Sequence, residues 1–421
     1  MAEKSDSSYK KCTLSNGLEV IIVEDKSLPI VSVNIWYKVG SANEKLGKTG
    51  FAHLFEHMMF QGSENIEKEQ HFKFIQEAGG SLNGSTSLDR TNYYETLPSN
   101  NLELALWLES DRMGYLLPAL TEEKLRNQKD VVLNERRQRY DNQPYGLAWE
   151  KMFAAMFPQN HPYHWPTIGW TEDIENFELN DVKEFFRTYY APSNASMVII
   201  GDLQTEKTLK LVEKYFNDIP SSGEIPLIHY ARPTLKENKT IEFEDNIQLP
   251  RLYLGWHSDH LYGKKDAAMD IISEVLTSSK NSRLYKTLVH EKQIAHDISA
   301  FNYSAKLNGM FFIIATAKED VDIETIKKAL FEELNKIKNI EIDTEELEKA
   351  KNNIKSTYIY SLQKQTVLAD QINNYNCNLG EPDSFKFDLD RYASLTRAQI
   401  KETADYYFSQ PYVELRILNK K

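Results

Sequence analysis

His53, Glu56 and His57 lie within Gly50-Phe-Ala-His53-Leu-Phe-Glu56-His57-Met-Met-Phe60, a segment whose other residues are mainly apolar. Such a run reads as a buried helix. A spacing of four puts both imidazoles on one helix face, one turn apart, where two nitrogens can share one zinc ion at about 2 Å each. Glu56 falls at the edge of that face, placed to hydrogen-bond a water held by the metal without being a ligand itself. A catalytic zinc site needs a third protein ligand, with the fourth position left for water. The best candidate is Glu135, in the helix Leu125-Arg-Asn-Gln128-Lys-Asp-Val-Val-Leu-Asn-Glu135, just after the apolar run Val131-Val132-Leu133. The plainer reading, two satisfied core histidines beside an unrelated glutamate, leaves three costly groups on an apolar helix unexplained. His161 and His164, and His257 and His260, lie in Pro- or Asp-bearing loop segments without an acidic partner pattern, and read as structural or surface residues. Arg136-Arg137-Gln138-Arg139 is a short basic cluster in an acidic chain and reads as a salt-bridged helix end.

The elements that must hold these residues appear twice. Cys12 to Glu24 reads as a hairpin around Asn16-Gly17, and Ile30 to Gly40 as a further strand. Helical patterning covers 50–61, 68–78, 100–117 and 121–140, with a strand-like stretch over 79–98. A helix over Asp181 to Tyr190 then turns at Pro192 into the strand Ala195–Gly201. The same order recurs near the C-terminus, where Gln399 to Tyr407 leads through Pro411 into Val413–Leu418. Likewise Leu120-Thr-Glu-Glu-Lys-Leu125 and Asp343-Thr-Glu-Glu-Leu347 each open a helix. Both pairs are offset by about 220 residues, half the chain, so a duplicated domain is the simplest explanation. The polar, aperiodic stretch 220–238 is the expected linker between a metal-bearing domain, 1–219, and a second domain, 239–421. Few strands and several helices per half give an α+β class rather than regular βαβ alternation.

Composition narrows the class. At 421 residues the chain exceeds one hydrophobic core. With 62 Asp+Glu against 50 Lys+Arg, its net charge of −12 argues against a nucleic-acid binder. Cys12 and Cys377 cannot build a disulfide framework. No apolar stretch approaches the ~18 residues of a membrane span, and the first ten residues lack the apolar region of a secretory signal. A soluble, acidic, multi-domain protein is the expectation.

The chain resembles the M16 family of pitrilysin-type zinc peptidases (inverzincins, with the H-x-x-E-H signature), in particular its short-chain, processing-peptidase-like branch. The resemblance rests on Leu14-Ser-Asn-Gly-Leu18, Val39-Gly-Ser-Ala-Asn-Glu44, Gly50 to Phe60, Gly79-Gly-Ser-Leu-Asn83-Gly-Ser-Thr-Ser-Leu-Asp89-Arg-Thr91 and Val131-Val-Leu-Asn-Glu135-Arg-Arg. It implies zinc held by His53, His57 and Glu135, with Glu56 as general base. It further implies two homologous α/β-roll halves, each a mainly antiparallel sheet packed by helices, related by a pseudo-twofold repeat and facing each other like a clamshell. The segment Gly80 to Thr91 resembles the family's substrate-binding edge strand, which assigns Asn83, Gly84, Ser85 and Thr86 to peptide contact; main-chain pairing with an extended peptide is the physics. Without the resemblance, an ordinary edge strand softened by glycines would be the reading.

Two departures matter. Where the family often has a further Glu seven residues before the ligand Glu, this chain has Gln128, an uncharged outer partner for the site. The family's Arg-x6-Tyr pair in the second half, which holds substrate carbonyls, is replaced by Val289 and His296, of which only His296 can hydrogen-bond. The second half also lacks metal ligands, at Asp266 to Ile272 and at Thr357-Tyr358. The resemblance is therefore to the zinc-bearing subunit of bacterial two-subunit peptidases. It implies a peptide or unfolded-protein substrate, a homologous partner subunit, and no nucleic acid or membrane span, in bacterial cytoplasm or periplasm. A self-sufficient homodimer and a non-catalytic scaffold subunit are the alternatives.

Overall fold

The computed structural model describes residues 9–420; most of the N-terminal segment read for a secretory signal lies outside them. The first half carries β1 (Tyr9–Thr13), β2 (Glu19–Glu24), β3 (Ile30–Tyr37), α1 (Phe51–Met58), α2 (Gln70–Glu77), β4 (Ser81–Thr86) and β5 (Thr91–Pro98). It continues with α3 (Leu102–Tyr115), α4 (Glu122–Arg136), α5 (Ala148–Met156), α6 (Thr171–Glu175), α7 (Leu179–Tyr189), β6 (Ala195–Gly201) and α8 (Thr205–Phe216). Residues 220–238 form neither helix nor strand. The second half carries β7 (Lys239–Asp245), β8 (Arg251–Ser258), α9 (Asp266–Thr277), β9 (Ala295–Tyr303) and β10 (Gly309–Ala317). Then follow α10 (Ile323–Asn339), α11 (Thr344–Ser361), α12 (Gln365–Leu379), α13 (Phe385–Ala393), α14 (Arg397–Phe408) and β11 (Val413–Asn419).

Topology bears out the duplication. One sheet has the order β1-β2-β6-β3-β5-β4, the other β7-β11-β8-β10-β9. Without β1 the two orders coincide, strand for strand. In each, the first pair is parallel (β2 with β6, β7 with β11) and the remaining pairs are antiparallel. The fold is mixed α+β with two mainly antiparallel sheets, as the residue patterns predict. β4 and β9 are edge strands at equivalent positions, each preceded by helices that follow a central strand.

The compact units are not the two sequence halves. One comprises the described chain up to Asn134 with Pro166–Ile228 and Ile359–Ser384; the other comprises Glu135–Trp165, His229–Tyr358 and Phe385–Lys421. Two helices at equivalent positions in the repeat are thus exchanged: α5 packs on β8 and β11, and α12 on β3 and β6. Side chains explain both dockings. A Cβ on Gly255 of β8 would stand 2.6 Å from Met152 Cε, so the glycine leaves room for the methionine side chains of α5 against the sheet. Where α5 ends, His257 Nε2 lies 3.1 Å from the carbonyl oxygen of Met156, while the Asn308 amide meets His257 Nδ1 at 2.9 Å. The donating amide assigns the proton to Nε2, which donates to the carbonyl.

On the other sheet α12 docks through hydrogen bonds more than through apolar packing. Asp370 Oδ1 accepts from Trp36 Nε1 at 2.7 Å, Asn92 Nδ2 at 2.8 Å and Asn34 Nδ2 at 3.3 Å. Asn373 donates to the Asn34 carbonyl at 2.9 Å and Asn376 to Ser196 Oγ at 2.9 Å. These bonds help to account for a helix buried despite a polar sequence, because the amide donors of Asn373 and Asn376 and the Asp370 carboxylate have partners. No helix among the described residues is long and apolar enough to cross a membrane.

Candidate metal centre

α1 starts abruptly, and the sequence around it explains why. Gly50 precedes the helix at φ +87°, and a Cβ there would stand 2.4 Å from the Ile168 carbonyl oxygen, so glycine is required. The free N–H groups of the first turn are met by one carboxylate: Glu44 accepts from Gly50 N at 2.9 Å and from Ala52 N at 2.8 Å. An acidic group there also complements the helix dipole. Glu44 is part of the Gly-Ser-Ala-Asn-Glu segment noted above, but this anchoring role was not legible from its position in the sequence. Phe51, Leu54, Phe55 and Met58 bury the opposite face of the helix, while His53, Glu56 and His57 are half-buried.

The two histidine rings lie 4.8 Å apart between centroids at an interplanar angle of 72°. α4 brings Glu135 to them: one ligand atom from each of His53, His57 and Glu135 lies within 4.8 Å of the others. The division between compact units falls inside α4, one residue before Glu135, so the unbroken helix itself carries that carboxylate to the histidines. Two neutral imidazoles and one carboxylate form a donor set suited to zinc, and this convergence shows that the residues fit the ion. Glu135 Oε1 also lies 2.7 Å from Arg139 Nη1, and Arg136 Nη2 lies 2.7 Å from Glu150 Oε2. The basic cluster is a salt-bridged helix end.

Glu56 is fixed from the neighbouring edge strand. Thr86 Oγ1 donates to Glu56 Oε2 at 2.5 Å, and a Cβ on Gly84 would stand 3.3 Å from Glu56 Cγ. Gly84 and Thr86 therefore face α1, whereas Asn83 and Ser85 alternate to the other side. Ser85 Oγ donates to Asn92 Oδ1 at 2.6 Å, the Arg90 guanidinium donates to the Ser85 carbonyl at 2.9 Å, and Asn83 Oδ1 accepts from Gly84 N at 2.9 Å. Gln128 is buried on α4, and its amide donates to Asn127 Oδ1 at 3.0 Å. His296 is an exposed residue of β9, and Val289 packs against the apolar core of the second unit.

The second half fills the equivalent place differently. Asp266 and Asp270 stand four apart on α9, and α13 closes over them. Arg391 Nη2 meets Asp266 Oδ2 at 2.8 Å, and Tyr392 donates to Asp270 Oδ2 at 2.7 Å. Burial pushes the Asp270 carboxyl up to about 7. The Arg391 guanidinium pairs with Asp266 and, at 3.3 Å, with Asp388 of its own helix. His161 and His257 are structural, but His257 lies in β8 and not in the loop segment expected from its sequence: His161 stacks on Phe157 with centroids 4.6 Å apart, and burial holds both imidazoles down at about 4.

Known proteins similar to this chain point to one family. The family model "Insulinase (Peptidase family M16)" matches residues 19–169, and "Peptidase M16 inactive domain" matches residues 176–354. The chain is 33% identical over 371 residues to the zinc protease PqqE of Helicobacter pylori, spanning 87% of this chain and 83% of that protein. It is 23% identical to a probable mitochondrial-processing peptidase subunit beta of Arabidopsis thaliana, across 94% of this chain and 75% of the other. Among solved structures, a protease from Helicobacter pylori superposes with a TM-score of 0.92 at 30% identity, covering 98% of this chain and 99% of its own. A Pseudomonas fluorescens structure described as a peptidase M16 inactive domain gives 0.87 at 17% identity, covering 98% of both chains, which speaks to the fold alone. With a duplicated α+β fold, a His-His-Glu convergence and a relative this similar along most of its length, the chain belongs to the M16 peptidase family.

Proposed function

We propose that the protein is a zinc-dependent endopeptidase acting on extended peptides. The observation that carries this reading is the convergence of His53, His57 and Glu135 within 4.8 Å, beside a Glu56 carboxylate held at 2.5 Å by Thr86 of an edge strand. When bound by these three side chains, zinc supplies Lewis-acid polarisation of the scissile carbonyl and lowers the pKa of water toward ~7. Glu56 is the general base: it takes the proton of the attacking water and returns it to the leaving amine. β4 receives the peptide as an added strand, with Asn83 and the backbone of Gly84 and Ser85 along the binding edge. Thr86, assigned to peptide contact from the resemblance, has its hydroxyl committed to Glu56 and acts through that carboxylate. Gln128 is assigned to the outer surroundings of the ligands.

The opposing substrate clamp is supplied by a homologous partner subunit. Two observations support this: Val289 packs into a core and offers no donor, and a relative of this chain is itself named a subunit beta. His296 remains available for peptide contact from β9.

The test is Glu56→Gln in the full-length chain, assayed with and without a homologous subunit bearing the Arg/Tyr pair. Zinc content should match that of the wild-type chain while peptide cleavage falls by about 10²–10⁴-fold. Near-normal cleavage by the zinc-loaded variant would sink the assignment of Glu56. Wild-type chain cleaving robustly alone would replace the partner requirement with a self-sufficient homodimer. Failure of wild-type chain to bind zinc would return it to the scaffold class.

A further inference from the structure

A second convergence lies inside the first unit, away from α1. His71 of α2, Glu95 of β5 and Glu109 of α3 each offer a ligand atom within 4.8 Å of the others. All three are buried, at 4%, 0% and 1% exposure. Among the described residues, neither carboxylate oxygen of Glu95 nor Nε2 of His71 has a hydrogen-bond partner. Unmade contacts at such depth are costly.

Arg112 is the cation at hand, and it bonds Glu109 but neither Glu95 nor His71, its own buried Nη1 being left without a partner among the described residues. Its Nε donates to Glu109 Oε2 at 2.9 Å and its Nη2 to Glu109 Oε1, while its guanidinium rests over Tyr93 at 4.2 Å and Phe60 at 5.1 Å. With both carboxylates ionised, the cluster is one positive charge short. Each Glu109 oxygen retains a second lone pair for another partner. His71 Nε2 stands 3.5 Å from Glu95 Oε2. That is long for an O–H···N bond, which falls near 2.8 Å. It is close to the ~3.4 Å that separates two ligands, each about 2.1 Å from one tetrahedral ion.

We propose that His71, Glu95 and Glu109 form a second, structural site for a divalent transition-metal ion, separate from the His53 centre. One imidazole with two carboxylates suits zinc, manganese or ferrous iron over a hard all-oxygen site for calcium. The ion ties α2 to β5 and α3. Because α2 runs through Gly79-Gly80 directly into β4, it also sets where that edge strand begins. Burial pushes the Glu95 carboxyl up and the His71 imidazole down, so the competing state is a metal-free neutral acid beside a neutral imidazole.

The test uses full-length chain in which the first centre is removed by His53→Ala and His57→Ala, purified without chelator from cells supplied with zinc and manganese. Elemental analysis should find about one metal equivalent per chain. Adding Glu95→Gln should bring it near zero in a chain that stays folded by circular dichroism. Should that triple variant fail to fold, anomalous diffraction from crystals of the double variant locates the ion between His71 and Glu95. A double variant with less than about a tenth of an equivalent, or an ion located elsewhere, would overturn the proposal in favour of the neutral pair. Neither result depends on peptidase activity.

Discussion

Thr86 connects the edge strand to the chemistry through a single hydroxyl, and its substitution separates positioning from peptide binding. Thr86→Val keeps the shape and removes the donor to Glu56. A hydrogen bond to a carboxylate contributes about 1.5–3 kcal/mol. The expected outcome is therefore a fall in kcat of about tenfold or more, with KM and zinc content little changed; steady-state kinetics with metal analysis checks it. Thr86→Ser should restore most of the rate. A change in KM alone would instead place Thr86 on the peptide. At this scale the sequence was informative where spacing does the work: His53 and His57 lie one turn apart on any helix. It was mute where partners are brought by folding. Nothing local ties Thr86 to Glu56 thirty residues away, or pairs His71 with Glu95 and Glu109.

Helices and strands followed their patterns closely, since α1, α7 and α14 bury one side while β2, β3 and β6 are largely buried runs; α3 is buried on every side from Leu108 to Met113. The docking of α12 did not. Nothing in the sequence marks its Asn373 and Asn376 as buried, and their hydrogen bonds to the Asn34 carbonyl and Ser196 accompany that burial. Asp370→Ala should test that docking, because it leaves Asn34, Trp36 and Asn92 without their shared acceptor. A loss of about 2–4 kcal/mol in unfolding free energy is expected by denaturant titration. α5 has the opposite vulnerability, to acid. His257 and His161 are held neutral at about 4 in the folded chain against an unfolded value near 6.5. Below about pH 6.5 the unfolded chain takes up protons that the folded chain refuses. Stability therefore falls from there down to about pH 4, by up to about 1 kcal/mol per pH unit for each histidine, and then levels. Thermal unfolding across pH 4–7 should show this slope, and His257→Gln should reduce it by about half.

For the whole molecule, the repeat was legible in two helix-opening and helix-turn-strand echoes, and the matching strand orders explain them. What sequence periodicity could not reveal is that each repeat lends the other a helix, because an exchanged segment keeps its place in the chain order. The stretch 220–238, which forms neither helix nor strand, is therefore expected to be a covalent join that the folded state can do without. Cutting it at an inserted protease site should leave two fragments that co-elute, since α12 remains seated on β3 and β6, and α5 on β8 and β11. Separation of the fragments in native size-exclusion chromatography would contradict this. Each fragment produced alone would expose a sheet face built for its sibling's helix, an aggregation hazard during synthesis. The nascent chain meets this problem in vivo: β3 and β6 leave the ribosome long before α12 does. Covering of the first sheet by α12 must wait for translation to pass residue 379, so the interval between those two events, rather than the finished fold, is where a chaperone would be needed.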